Sequence, residues 1–262
     1  MKLFSVPVFS CYLIFNFVPY LLSGDESVSI KLEIERALGR GVEWINSEQN
    51  SSSGQWGEAD YPALTALALR ATMGHPDSAV VKKYADQQSK GFYFILSKVQ
   101  SDGGIYGKGL ASYNTAICMM AMIQSKDLKY NDIIKSARRF LINQQSDFDR
   151  KGEMDNVFDG GVGYGSRWAH SDLSNTHLAM EALYYAKKSF KSEEGDELGL
   201  DWDAAISFVS KCQNLSATNK EKWVSQDDED KGGFVYFPGS SMAGEKKRKD
   251  GSVALRSYGS MS

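Results

Sequence analysis

Apolar positions in this chain recur in two alternating styles. In the first they follow a helical period with charged residues between them, as in Ile133-Ile134-Lys135-Ser136-Ala137-Arg138-Arg139-Phe140-Leu141. Such a stripe predicts a helix with one face in water. In the second, apolar and small residues run almost unbroken, as in Thr65-Ala66-Leu67-Ala68-Leu69 and Thr115-Ala116-Ile117-Cys118-Met119-Met120-Ala121-Met122. A helix that is apolar all round is buried on most sides. The pattern predicts half-wet helices near 32–48, 77–99, 131–145 and 201–214, and dry ones near 60–73, 111–124 and 171–189. Almost all of the chain beyond its first segment is expected to be helical.

Between the two styles stand glycine-rich turns: Gly54-Gln55-Trp56-Gly57, Gly103-Gly104-Ile105-Tyr106, Gly160-Gly161-Val162-Gly163-Tyr164 and Gly232-Gly233-Phe234-Val235-Tyr236. A glutamine precedes each, at Gln49, Gln100, Gln145 and Gln213, and an aromatic follows, at Trp56, Tyr106, Tyr164 and Tyr236. Glycine allows the positive φ of a tight turn. Asp60, Ser112, Ser171 and Ser257 then stand where a side chain can accept from free N–H groups at the start of the next helix. Pro62 suits a first helical turn. The unit is therefore helix, glutamine, glycine-aromatic turn, helix. Alternating wet and dry helices in a repeat imply an outer layer around an inner one, an all-α double ring of helical hairpins, or α/α toroid. Three hairpins are complete, and "LRSYGSMS" reads as the first residues of a fourth inner helix, so the ring is expected to be incomplete at its C-terminal side.

The first 24 residues differ from the rest. Lys2 precedes an apolar run from Leu3 to Leu22, followed by Ser23, Gly24 and the acids Asp25 and Glu26. This is the order of a secretory signal, and an uncleaved N-terminal anchor is the rival reading. A secreted or periplasmic chain is expected, with 25–262 as the repeat domain. Composition is ordinary for a globular protein, 42% hydrophobic and 24% charged, and the net charge of −3 gives no footprint for nucleic acid. Cys118 and Cys212 are too few for a disulfide framework. Asn50-Ser51-Ser52 and Asn214-Leu215-Ser216 are glycosylation sequons, meaningful only on a eukaryotic secretory route.

"RGVEWINSEQNSSSGQWG", residues 40–57, resembles the QW repeat of squalene and oxidosqualene cyclases, with one extra residue between Gln49 and Gly54. "KGFYFILSKVQSDGGIYG" resembles a second copy, with one extra residue before Gln100. The likeness extends to protein prenyltransferase β subunits. It implies an α/α toroid in which the four glutamines and four aromatics tie one helix pair to the next.

The resemblance also frames the chemistry. The cyclases carry an Asp-x-Asp-Asp-Thr-Ala stretch whose central Asp is the acid. The string here is Asp172-Leu173-Ser174-Asn175-Thr176-His177. A serine hydroxyl at the central place cannot protonate an alkene. Asp172 then reads as a helix N-terminal residue whose charge is stabilised there. The prenyltransferases need Asp, Cys and His zinc ligands, and neither cysteine stands at that spacing. No metal or cofactor is expected. Two classes remain. One is a binding module whose cavity takes an apolar or glycan-like ligand, with Asp60, Tyr61, Trp168, Asn175, Arg256 and Tyr258 as lining candidates. The other is an enzyme, a divergent cyclase or a polysaccharide lyase, with Asp172, His170 and Tyr113 as catalytic candidates. Convergence of those polar groups on one pocket discriminates between them.

Overall fold

The computed structural model describes residues 11–165, 170–190 and 199–262, with side chains from residue 28 onward. The fold is all-α, 48% helical. The helices are α1 (Cys11–Ser47), α2 (Pro62–Met73), α3 (Ser78–Lys83), α4 (Ala85–Leu96), α5 (Ala111–Ser125), α6 (Asn131–Ile142), α7 (Leu173–Ser189) and α8 (Trp202–Lys211). An antiparallel hairpin of β1 (Glu245–Lys247) and β2 (Val253–Leu255) follows, with Glu245 paired to Leu255. Among the described residues no helix is long and apolar enough to cross a membrane. Residues 1–10 of the expected signal segment lie outside the described part, and α1 begins within that segment, at Cys11.

Helices α2, α5 and α7 pack side by side as an inner layer, and α1, α4, α6 and α8 lie against them from outside. The centre of the inner layer is the driest. In α5, Ala111, Ser112 and every residue from Asn114 to Met122 are buried. The inner helices at the two ends are drier on one side than the other: Leu64 and Leu67 of α2 and Tyr184 and Tyr185 of α7 are exposed. Outer helix α6 carries its apolar stripe inward, at Ile134, Ala137, Phe140 and Leu141.

The turns repeat bond for bond. In each, the residue two after the first glycine donates its backbone N–H to a hydroxyl: Trp56 to Thr65 (3.0 Å), Ile105 to Thr115 (2.8 Å), Val162 to Thr176 (2.8 Å) and Phe234 to Ser262 (2.8 Å). This corrects the sequence alignment. Ile105, Val162 and Phe234 are the structural counterparts of Trp56, and Tyr106, Tyr164 and Tyr236 are not. The glutamine register shifts too. The carbonyl one after the first glycine accepts from Asn50, Gln100, Ser146 and Asn214, which places Val99, and not Gln100, opposite Gln49, Gln145 and Gln213.

Two expected features take a different form among the described residues. No further helix is formed after Lys211, but "LRSYGSMS" enters a first helical turn: the Ser262 N–H donates to the Tyr258 carbonyl (3.2 Å) as that of Thr176 does to Asp172 (3.0 Å), and the Tyr258 N–H donates to Phe234 as that of Asp172 does to Val162. Leu255 belongs to β2, and the N–H of Ser257 donates instead to Asp230 (2.8 Å). The helix-start acceptors also differ. Tyr61 and Leu110 precede α2 and α5 without any side-chain cap, while Asp172 caps α7. Asp60 is exposed, Ser112 Oγ is buried without a partner, and Ser171 Oγ donates to the Phe158 carbonyl and accepts from Ser146 Oγ. Pro62 does occupy the first turn of α2. Its missing N–H costs nothing there.

The hairpins are joined through these turns. A Cβ on Gly54 would lie 2.5 Å from the Lys90 carbonyl of α4, and one on Gly103 would lie 2.7 Å from the Ser136 carbonyl of α6. Gly160 meets the Ala204 carbonyl of α8 in the same way. All three glycines have φ near +80 to +90°. Conformation and close approach therefore both demand glycine. The glutamines finish two of the joints. Gln49 Nε2 donates to the Gly54 and Gln87 carbonyls (2.8 and 2.9 Å), and Gln145 Nε2 to the Gly160 and Asp201 carbonyls (2.9 and 2.8 Å). Gln100, one place late, reaches only Lys98 and Tyr106 of its own turn.

Candidate functional site

Two features lie at the α7 end of the arc. The first is a polar cluster around the start of α7. Asp172 is fully buried. Its Oδ1 accepts from the Asn175 N–H (2.9 Å) and its Oδ2 from Asn175 Nδ2 (2.8 Å). An Asp at this position satisfies an N–H that the helix leaves unpaired. Burial pushes the Asp172 carboxyl above the ordinary range, against the lowering effect of the Asn175 bonds and of His170. The expectation that its charge is stabilised is thus overturned: desolvation outweighs the cap and the neighbouring charge. Each carboxylate oxygen accepts one bond from Asn175, and the group is buried away from the surface.

Tyr236 Oη donates to Tyr164 Oη (2.8 Å), and burial, followed by that bond and the charge of Asp172, holds its phenol in the neutral form. The His170 ring lies 4.7 Å from Phe237 and 6.2 Å from Phe158, and its Nδ1 is buried without a partner. Asn175 Oδ1 is likewise buried and unpaired.

Asp60 is exposed, and Tyr61 immediately precedes α2. Tyr113 packs against the core from α5. Arg256 is half-exposed, 3.6 Å from Glu229, and the Tyr258 N–H donates to Phe234 (2.7 Å). Trp168 lies outside the described residues. The structure brings together Asp172, Asn175 and His170, with Tyr164, Tyr236 and Tyr258 beside them, while Asp60 is exposed and Arg256 faces Glu229. Among the described residues no three His, Cys, Asp or Glu side chains are placed to hold a metal. Cys118 and Cys212 are buried free thiols, and burial raises both.

The second feature is a groove of about 480 Å³ between α7 and α8. Leu173, Met180 and Tyr184 form one wall, Trp202 and Val209 the other, and Phe234 and Met261 the floor. His177 and Glu181 are its polar groups, and Glu181 also faces Arg70 of α2 at 3.9 Å. Sequence reasoning missed this groove. The signal was the spacing of 173, 177, 180 and 184, one stripe of a helix. Another depression, of about 500 Å³, lies among α3, α4 and the end of α5. Asp127, Lys129 and Gln124 line it, with Tyr130 stacked on Phe92 at 5.0 Å.

Fold and site define an all-α protein of helical hairpins in two layers, with a buried polar cluster beside an apolar groove. No family model matches the chain, and no curated protein matches it. Among solved structures the chain is similar to Candida albicans protein geranylgeranyltransferase-I complexed with GGPP, with a TM-score of 0.43 and 20% identity over 74% of this chain and 48% of that one. The chain thus spans about half the length of that neighbour.

Proposed function

We propose that this protein is a prenyltransferase- and squalene-cyclase-like repeat protein that works as a binding module for an apolar ligand. The groove between α7 and α8 carries this reading, because a lining of Met, Leu, Val, Trp, Phe and Tyr with only two polar groups suits a hydrocarbon better than a glycan. Absence of catalysis in the manner of the cyclases is inferred from Ser174 at the acid's place and from the burial of Asp172 as the cap of α7. The full chain titrated with a fluorescent sixteen-carbon fatty acid is expected to show saturable binding. Met180→Arg places a charge in the groove and should weaken it by roughly tenfold or more, while Asp172→Asn should leave it unchanged. No saturable binding, or equal binding by Met180→Arg with unchanged circular dichroism, would overturn the reading.

A second reading has one observation in its favour. A buried carboxyl of raised proton affinity beside a histidine is the arrangement of a proton-handling site. Incubation with squalene separates the two. No cyclic product is expected from the wild type, nor from Ser174→Asp with Asn175→Asp.

Export is part of the proposal, on the strength of Lys2 and the apolar run after it. The two sequons give it a test in a eukaryotic secretory host. Asn50 is exposed, whereas Asn214 is fully buried and donates to the Leu255 carbonyl (3.1 Å) and Ser257 Oγ (3.0 Å). One glycan is expected, abolished by Asn50→Gln. A secreted product with no glycan, or with a glycan on Asn214, contradicts this placement.

A further inference from the structure

The depression among α3, α4 and the end of α5 follows from how the second outer position is built. Helices α6 and α8 are unbroken, whereas here the chain breaks at Tyr84 into α3 and α4. Val81 of α3 forms one edge of the hollow, and Lys129 and Tyr130, from the short 3₁₀ turn before α6, form another. The volume, about 500 Å³, falls within the range of small-molecule sites, roughly 300–1,000 Å³. Every residue lining it lies between Met73 and Tyr130, where the structure is described without interruption. At the next joint Arg138 and Ile142 stand before Gln145 as Phe92 and Leu96 stand before Val99. The hollow there is only about 100 Å³, walled by Leu183, Leu200 and Trp202.

The lining of the larger hollow has an aromatic side and a polar side. Phe92 and Tyr130 are buried and stacked, with ring centroids 5.0 Å apart. Tyr93, the next residue of α4, is 76% exposed at the rim. A ring so exposed presents an apolar face to whatever enters. The polar side carries Gln88, Ser89, Asp127 and Lys129. Gln88 Nε2 donates to the Val81 carbonyl (2.7 Å), which holds the amide at the wall. Asp127 and Lys129 pair at 2.7 Å with both side chains exposed, and Lys129 Nζ lies 4.9 Å from the centre of the Tyr130 ring. The rim is therefore polar and balanced in charge.

This combination selects against two kinds of ligand. A hydrocarbon would cover Gln88, Asp127 and Lys129 without giving them a hydrogen bond, and a desolvated polar group without a partner costs free energy. A charged ligand would compete with an ion pair already made. A neutral sugar ring fits both sides. Its C–H face lies flat on an aromatic ring, and its hydroxyls donate to a carboxylate or an amide oxygen and accept from an ammonium. An extended peptide finds less to hold, because these walls are helical and offer no strand edge. We propose that the hollow is a binding site for a neutral oligosaccharide, with one sugar ring stacked on Tyr93 and its hydroxyls on Gln88 and Asp127. It shares no lining residue with the groove between α7 and α8 and is independent of that groove's ligand.

The test is titration of the full chain with four neutral tetrasaccharides: cellotetraose, maltotetraose, mannotetraose and the N-acetylated chitotetraose. Saturation-transfer NMR and calorimetry give the readout. At least one sugar is expected to bind saturably below about 5 mM, the weak regime that one stacked ring and a few hydrogen bonds reach. Tyr93→Ala should weaken that binding by about tenfold or more, and Tyr93→Phe, which keeps the ring, should stay within about threefold of wild type. Ser89→Arg fills the hollow from an exposed position and should abolish binding. Because Ser89 and Tyr93 are exposed, circular dichroism and melting temperature should match wild type. Whatever fatty-acid binding the wild type shows should be unchanged in all three variants. No saturable binding of any of the four sugars up to about 10 mM, or sugar binding that Tyr93→Ala and Ser89→Arg leave intact, would overturn the proposal. A hexaproline peptide that binds where the sugars do not, and that Ser89→Arg displaces, would overturn it in favour of a proline-rich partner.

Discussion

Trp56 fills the space that Gly91 leaves open. Its Nε1 donates to the Ile45 carbonyl at 2.6 Å and its ring lies against α4, so one side chain holds α1 and α4 together. Trp56→Ala should cost about 3–5 kcal/mol, read as a lower denaturation midpoint. Asp172 gives a prediction of the opposite kind. Its folded state holds a proton more tightly than its unfolded state, because burial raises the carboxyl. Its contribution to stability is therefore present at low pH and lost as pH rises from about 4 through the raised value. Asp172→Asn should melt higher than wild type at pH 7, and the gap should close toward pH 4. A gap that widens on acidification would show that the cap, and not burial, dominates.

At the scale of elements, the turn-and-helix order was legible because glycine and apolar runs report directly on backbone freedom and burial. Predicted outer helices at 131–145 and 201–214 correspond to α6 and α8, each slightly shorter because the glutamine belongs to the turn. The register was not legible, because backbone bonds set it and the side chain at the same place can be Gln49 or Val99. The α7–α8 groove was hidden for a different reason: a stripe at 173, 177, 180 and 184 does not say whether a neighbouring helix covers it. Gln145→Ala removes donors to Gly160 and Asp201 and the acceptor for the Asp201 N–H (2.9 Å). The loss should be about 2 kcal/mol. Gln100→Ala should cost less, since its two bonds stay within one turn. Urea midpoints of the two variants make the comparison.

Over the whole molecule, each hairpin touches mainly the next one, so stability is close to a sum of hairpins and joints. The end inner helices, α2 and α7, with their exposed Leu64, Leu67, Tyr184 and Tyr185, should open before α5 does. Amide exchange should therefore be slowest in α5, at Ala116 to Met122, and an evenly protected inner layer would contradict this order.

The carbonyls of Lys90, Ser136 and Ala204, which meet the first glycine of the preceding turn, stand at one fixed interval before Val99, Gln145 and Gln213, and this makes length itself a modular quantity. Loops may vary between turn and helix without disturbing a joint, and they do: Thr65 follows Trp56 by 9 residues, whereas Thr176 follows Val162 by 14. One residue added between Ser136 and Gln145 would instead rotate the outer helix by about 100° and turn the carbonyl away from Gly103. The chain can thus gain or lose a hairpin as a whole, but it cannot gain or lose a single residue inside that interval.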